Sequence, residues 1–131
     1  MLGVTGPNEY ENNVNNNWYT NIVAAWNLEY TLEVISYLKN NHLNTFNDIS
    51  AKLKLRKAET DKWWDIVDKM YFPKLESLNV FEQQDGYMDK EQQSISDLSE
   101  GDLPFNQNWS WTEYSDHALL NRPMSYKVYI C

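Results

Sequence analysis

A chain of 131 residues that is 42% hydrophobic and 15% aromatic is long enough for one domain with a sizeable core and too apolar for a disordered tail. Its formal net charge of −8 excludes nucleic acid and anionic membrane surfaces as partners, because both select basic faces. One cysteine, Cys131, and two isolated histidines, His42 and His117, exclude an internal disulfide and a spaced zinc set.

In chain order, the first signal is Gly6-Pro7-Asn8, strong turn chemistry that puts Glu9 in a loop. Asn15 to Asn17 then offer side-chain acceptors for the free amides of a helix predicted over residues 16–39. Such a helix would be roughly 36 Å long at about 1.5 Å per residue. Tyr19, Val23, Trp26, Tyr30, Val34 and Leu38 recur along it at helical spacing, and Trp18, Ile22, Ala25, Leu28, Leu32 and Ile35 form a second stripe. So wide an apolar surface predicts burial on more than one side. Asn40-Asn41 is the expected stop.

A short helix is predicted over residues 47–53 and another over 58–70, with Trp63, Trp64, Ile66, Val67 and Met70 facing inward and Pro73 ending the pattern. Asp61, Asp65 and Asp68 share a face of that helix in the manner of a carboxylate site, but the interleaved Lys62 and Lys69 mark a solvated surface. Residues 80–83 read as an extended segment before an Asp85-Gly86 turn. Residues 89–108 read as a polar surface loop with a weak cap at Ser96-Asp97. Residues 112–131 show neither helical nor alternating periodicity. No apolar run reaches membrane-spanning length. There is no internal repeat.

Thr5-Gly-Pro-Asn-Glu-Tyr10 followed by Asn15-Asn-Asn-Trp-Tyr-Thr-Asn21 resembles the catalytic core of the disaccharide phosphorylases of glycoside hydrolase family 65. The resemblance recurs in residues 63–71, in Val80-Phe-Glu-Gln-Gln-Asp-Gly-Tyr87 and in Asn106-Gln-Asn-Trp-Ser-Trp111. Blocks in the same order make chance a poor explanation. Many relatives carry Gly-Pro-Asp-Glu-Tyr-His-Glu, whereas Asn8 here replaces the Asp and Glu11 the His, as expected of the maltose-cleaving branch.

The resemblance implies an all-α fold, a fragment of an (α/α)6 barrel with a few extended segments and loops. On that reading residues 1–111 are part of the catalytic domain and residues 112–131 a divergent tail that fits a shifted reading frame. Met1-Leu2 then reads as internal to the parent motif, with no export leader before it and a cytoplasmic setting expected. The parent is expected to be a homo-oligomer acting on a maltose-type disaccharide and phosphate, with no cofactor, metal, nucleic acid or membrane.

Carried over, Glu9 is the general acid. Inverting hydrolysis needs an acid for the leaving oxygen and a base to activate water. A phosphorylase uses inorganic phosphate, already anionic, as nucleophile, so one carboxylate suffices. Glu9 would protonate the glycosidic oxygen while phosphate attacks the anomeric carbon from the opposite face, giving glucose and β-glucose 1-phosphate from maltose. Holding that proton at neutral pH requires desolvation or a nearby phosphate charge.

Trp109 and Trp111 are candidates for lining the sugar pocket, and Gln83, Gln84 and Asp85 for approaching substrate. Trp18 and Trp26 are read as core. Glu11 has no assigned role, and Glu11→Gln is expected to be nearly silent. The isolated chain is expected to be inactive. The competing reading is a small acidic helical module that works through protein contacts; it accounts for the length but not for the order of the motifs.

Overall fold

Asn17 starts the first helix, α1 (Trp18–Asn41). Its Oδ1 accepts from the Thr20 amide and from the Thr20 hydroxyl, each at 3.1 Å, which satisfies one of the free first-turn donors. At the far end the Asn41 amide donates to the Tyr37 carbonyl at 2.9 Å. The helix lies two residues later than predicted at both ends.

The computed structural model describes residues 1–8, 11–110, 117–120 and 129–130; for residues 92, 93, 95, 105, 106 and those beyond 110 the backbone alone is described. Glu9, Trp111 and most of the segment 112–131 lie outside the described residues. The chain divides into two units, residues 21–71 and residues 1–20 with 72–131.

In the first of these units, one of the two predicted stripes of α1 packs and the other does not. Ala25 and Leu32 are buried, and Ile22, Leu28 and Ile35 are half-buried. Val23, Tyr30 and Val34 of the other stripe are exposed, as is Trp26 at 58%. Trp26 is therefore not core in this chain; it stacks on Tyr30 with ring centroids 5.5 Å apart. The one polar side chain fully buried along this face, Asn21, donates from Nδ2 to the Tyr71 carbonyl at 2.7 Å.

Two shorter helices complete this unit, α2 (Leu43–Leu53) and α3 (Lys57–Asp68). α2 begins four residues before its predicted start, behind His42, which caps it with no side-chain hydrogen bond. It ends at Lys54, which takes the left-handed conformation at φ 55° and donates its amide to the Ala51 carbonyl, a terminator more often built on glycine. Along α3, Trp63, Ile66 and Val67 are half-buried, but Trp64 is 52% exposed rather than inward-facing. The carboxylates of α3 sit on a solvated face, Asp61 paired with Lys57 at 2.7 Å and Asp65 paired with Lys69.

The other unit contains β1 (Lys74–Leu75), β2 (Val80–Phe81), β3 (Glu91–Ser94), α4 (Phe105–Asn108), β4 (His117–Leu120) and β5 (Tyr129–Ile130), with single 3-10 turns between them. β1, β2 and β5 form an antiparallel sheet in that order, and β3 pairs in parallel with β4 from Glu91↔His117 to Ser94↔Leu120. The start of α1 packs here: the Trp18 ring lies 6.0 Å from Phe72 and 5.8 Å from Phe81, each tilted against it, the offset geometry aromatic pairs favour. Trp18 is thus structural, as read.

Of the extended segment expected at 80–83 only Val80 and Phe81 form a strand, β2, and Gly86 makes the turn at φ 69°, where a side chain would be strained. The predicted loop over 89–108 instead holds a strand, 3-10 turns and a short helix. The expected cap at Ser96-Asp97 is replaced by Ser99, whose amide and hydroxyl both donate to Asp102 Oδ2 at 2.9 and 2.7 Å. Among the described residues no helix is long and apolar enough to cross a membrane, and no group of three or more His, Cys, Asp or Glu could hold a metal ion.

Candidate active site around the acid-bearing loop

The segment that carries Glu9 is tied down on both sides of it. Val4 and Val14 exchange both backbone hydrogen bonds, at 2.9 and 3.0 Å, and the Glu11 amide donates to the Asn8 carbonyl at 3.0 Å. Residues 8 and 11, which flank Glu9 and Tyr10 in sequence, are therefore joined directly.

Beneath this loop lies Asn17. A Cβ on Gly6 would fall 2.3 Å from Asn17 Nδ2 and 2.5 Å from its Cγ, closer than real contacts allow, so only glycine fits the approach. The same Asn17 side chain, 1% exposed, caps α1. One residue thus sets both the start of the helix and the position of the Gly6-Pro7 turn.

A second layer comes from the Gln83-Gln84-Asp85 loop. The Gln83 carbonyl accepts the Trp18 amide at 2.8 Å, the Asp85 amide donates to the Asn15 carbonyl at 3.1 Å, and Asp85 Oδ2 accepts from Asn16 Nδ2 at 2.7 Å. Asn16 adopts φ 51° and Asn13 φ 55°, left-handed positions that asparagine tolerates better than most residues. That tolerance is one physical reason for the asparagine-rich stretch.

The residue missed from sequence is Glu11. It is 4% exposed, although an acid in a loop is ordinarily solvated. Its Oε2 accepts from Lys90 Nζ at 2.5 Å and from Gln84 Nε2 at 2.7 Å, and Gln83 Nε2 in turn donates to Gln84 Oε1 at 2.7 Å. The Lys90 side chain is 13% exposed, and its ammonium sits 5.7 Å from the centre of the buried Tyr87 ring. Burial first, and the Glu11 carboxylate second, push the Tyr87 phenol well above the usual tyrosine range. It stays neutral at any physiological pH.

The buried Glu11 carboxylate is thus held by donors from Lys90 and Gln84. Glu11→Gln, expected from the sequence to be nearly silent, replaces the carboxylate that these two donors hold. Gln83 and Gln84, 7% and 1% exposed, are joined to the Glu11 cluster. Trp109 stands elsewhere: half-buried, it donates its indole N–H to Asp102 Oδ1 at 3.3 Å. The Ser99 hydroxyl, the Ser99 amide and this indole together hold the Asp102 carboxyl below its ordinary range. Glu9 and Trp111 lie outside the described residues.

The described residues on either side of Glu9 are thus joined to each other, to the start of α1 and to the Glu11–Lys90 pair. The family model of the glycosyl hydrolase family 65 central catalytic domain matches residues 1–122, and the chain belongs to this family as a fragment of that domain. Within it the chain is 48% identical over 112 residues to the maltose phosphorylase of Bacillus subtilis (strain 168), a match that covers 83% of this chain and 14% of that enzyme.

It is also 37% identical over 101 residues to a kojibiose phosphorylase of Caldanaerobacter subterraneus, covering 77% of this chain and 13% of that enzyme. With an alpha,alpha-trehalose phosphorylase of Thermoanaerobacter brockii it shares 30% over 120 residues, 92% of this chain and 16% of that one. Among solved structures, a chain assigned as a kojibiose phosphorylase from the human microbiome superposes with a TM-score of 0.76 at 26% identity, over 89% of this chain and 16% of that one. The mostly helical architecture fits a fragment of an (α/α)6 barrel, as the resemblance implied.

Proposed function

We propose that this chain is the acid-bearing part of an inverting disaccharide phosphorylase that converts maltose and phosphate to glucose and β-glucose 1-phosphate. The observation that carries the choice of maltose is the 48% identity to a maltose phosphorylase, against 37% and 30% to the kojibiose and trehalose enzymes above. In this reading Glu9 donates the proton to the glycosidic oxygen, phosphate displaces it from the opposite face of the sugar, and no metal or organic cofactor takes part. Trp109 and Trp111 are proposed to line the sugar pocket, and the whole enzyme to be a cytoplasmic homo-oligomer.

The open stripe of α1, with Trp26 and Tyr30 more than half exposed, also suits a protein-interaction module. The phosphorylase reading accounts for that stripe too, since the remaining helices of a barrel would cover it.

The test is a graft in which residues 1–111 replace the matching segment of the Bacillus subtilis maltose phosphorylase. The graft is expected to cleave maltose only when phosphate is supplied, with glucose and β-glucose 1-phosphate in equal amounts. A folded graft with no phosphorolysis of maltose would overturn the proposal.

The graft also tests the Gly6–Asn17 approach. Gly6→Ala is expected to lower the unfolding free energy by about 1–3 kcal/mol, the usual cost of forcing atoms into a packed site. Asn17→Gly alone removes the clash partner and costs only a few tenths as a cap. In the double variant most of the Gly6→Ala loss should vanish. Simple additivity in denaturant unfolding would separate the two residues.

A further inference from the structure

The mechanism above leaves one expensive feature unused: the buried carboxylate of Glu11, two positions beyond the acid, paired with the largely covered ammonium of Lys90. Stability does not call for them. A well-packed apolar pair of similar volume serves a fold as well as or better than a buried ion pair, because desolvating two charges consumes most of their attraction. What such a pair supplies is directional restraint. Glu11 Oε2 takes the 2.5 Å bond from Lys90 and the 2.7 Å bond from Gln84 at once, so the carboxylate is held from two directions.

The donors are themselves fixed. Gln84 is oriented by Gln83, whose backbone carbonyl receives the first amide of α1, and the adjacent Asp85 is bonded to Asn15 and Asn16. The loop 83–90 therefore grips the acid-bearing segment after Glu9 at two places, at residue 11 and at residues 15–18. The amide of the same Glu11 closes onto Asn8, just before the acid. What fixes residue 11 is therefore joined through that bond to residue 8.

Resting on the phosphorylase reading, we infer that Glu11 is a positioning residue for the general acid, with Lys90 and Gln84 as the clamp that holds it. Its carboxylate touches no reacting atom. It keeps the backbone on either side of Glu9 in register with the start of α1, so that the proton donor meets the leaving oxygen without searching. Proton transfer is sensitive to such placement: an error of about 1 Å can cost about 10²-fold in rate.

The experiment uses the graft and two substrates, maltose and α-glucosyl fluoride. With the fluoride, phosphate oxygen bonds to the anomeric carbon, the C–F bond breaks, and fluoride departs with the electron pair and needs little protonation. An enzyme with a misplaced acid loses maltose turnover but keeps fluoride turnover, whereas a damaged fold or sugar site loses both. Glu11→Gln and Lys90→Met are each expected to lower kcat for maltose by about 10- to 10²-fold, with KM little changed. The fluoride-to-maltose ratio of kcat values should rise several-fold in each.

Because removing one member of such an ion pair can destabilise the fold, the double variant Glu11→Leu/Lys90→Met accompanies them. Replacing both charges should return the thermal midpoint toward that of the unaltered graft while the raised ratio persists. Proportional losses on the two substrates in these variants, or unaltered maltose turnover in the double variant, overturn the positioning role. If Glu9→Gln raises the ratio and the pair variants do not, that role alone falls. If Glu9→Gln does not raise it, the assignment of Glu9 falls as well.

Discussion

Glu9→Gln in the graft is expected to lower turnover of maltose by about 10²- to 10⁴-fold, the usual worth of a general acid. Glutamine keeps the shape and hydrogen-bonding reach of the side chain but has no carboxylic proton to give. Departure of the sugar hydroxyl as an alkoxide then has to wait for water, or proceed without help. Affinity for maltose should change far less than turnover, because the lost interaction matures in the transition state. The matched comparison is Gln84→Ala, which disturbs the brace around the loop without removing the proton. It should lower turnover less than Glu9→Gln while lowering the thermal midpoint more, since Gln84 is 1% exposed and bonds the buried Glu11. Steady-state kinetics and thermal unfolding of the two variants check both halves.

The isolated 131-residue chain, by contrast, is expected to show no phosphorolysis of maltose at all. It spans 14% of the length of the Bacillus subtilis enzyme, and catalysis of this kind depends on holding sugar, phosphate and acid together, which is worth about 7–11 kcal/mol of barrier. The same chain is expected to associate. Trp26, Tyr30, Tyr37, Leu53 and Trp64 of the unit 21–71 are all more than half exposed, and large apolar side chains left in water favour association. Light scattering should report assemblies that grow with concentration, and an assay for glucose and glucose 1-phosphate should stay at background. Phosphate-dependent release of glucose from maltose by the purified chain would overturn the first expectation, and a monodisperse monomer the second.

Local signals were legible where the physics is local. α1 was visible because its apolar residues recur at helical spacing, and because Asn17 is a residue type that caps. The turn at Asp85-Gly86 was visible for a similar reason, since glycine there supplies the positive φ that the chain needs. The ends of α2 were not. His42 starts it without a side-chain cap and Lys54 ends it in a left-handed conformation, neither of which leaves a compositional mark.

Nonlocal features were the hardest to read. Glu91-Gln-Gln-Ser94 has no apolar alternation, so nothing in it announces a strand, and its partner is a segment beginning at His117. The burial of Glu11 is illegible in the sequence for a related reason. Its burial depends on Lys90, 79 positions away, and a loop carboxylate carries no periodicity to reveal such a partner. The stripe of α1 that runs through Tyr19, Val23, Trp26, Tyr30 and Val34 is plainly apolar in sequence and exposed in the structure, but apolar character specifies only that a surface favours being covered. What covers it is not encoded in the stripe.

The central claim, that Glu9 delivers the proton in a phosphorylase, is tested most directly by one ratio: kcat with α-glucosyl fluoride over kcat with maltose, measured at saturating phosphate in the graft and in its Glu9→Gln variant. If Glu9 is the acid, the variant should recover with the fluoride most of the about 10²- to 10⁴-fold loss it shows with maltose, and the ratio should rise by a comparable factor. An unchanged ratio, with both substrates slowed alike, would contradict the account.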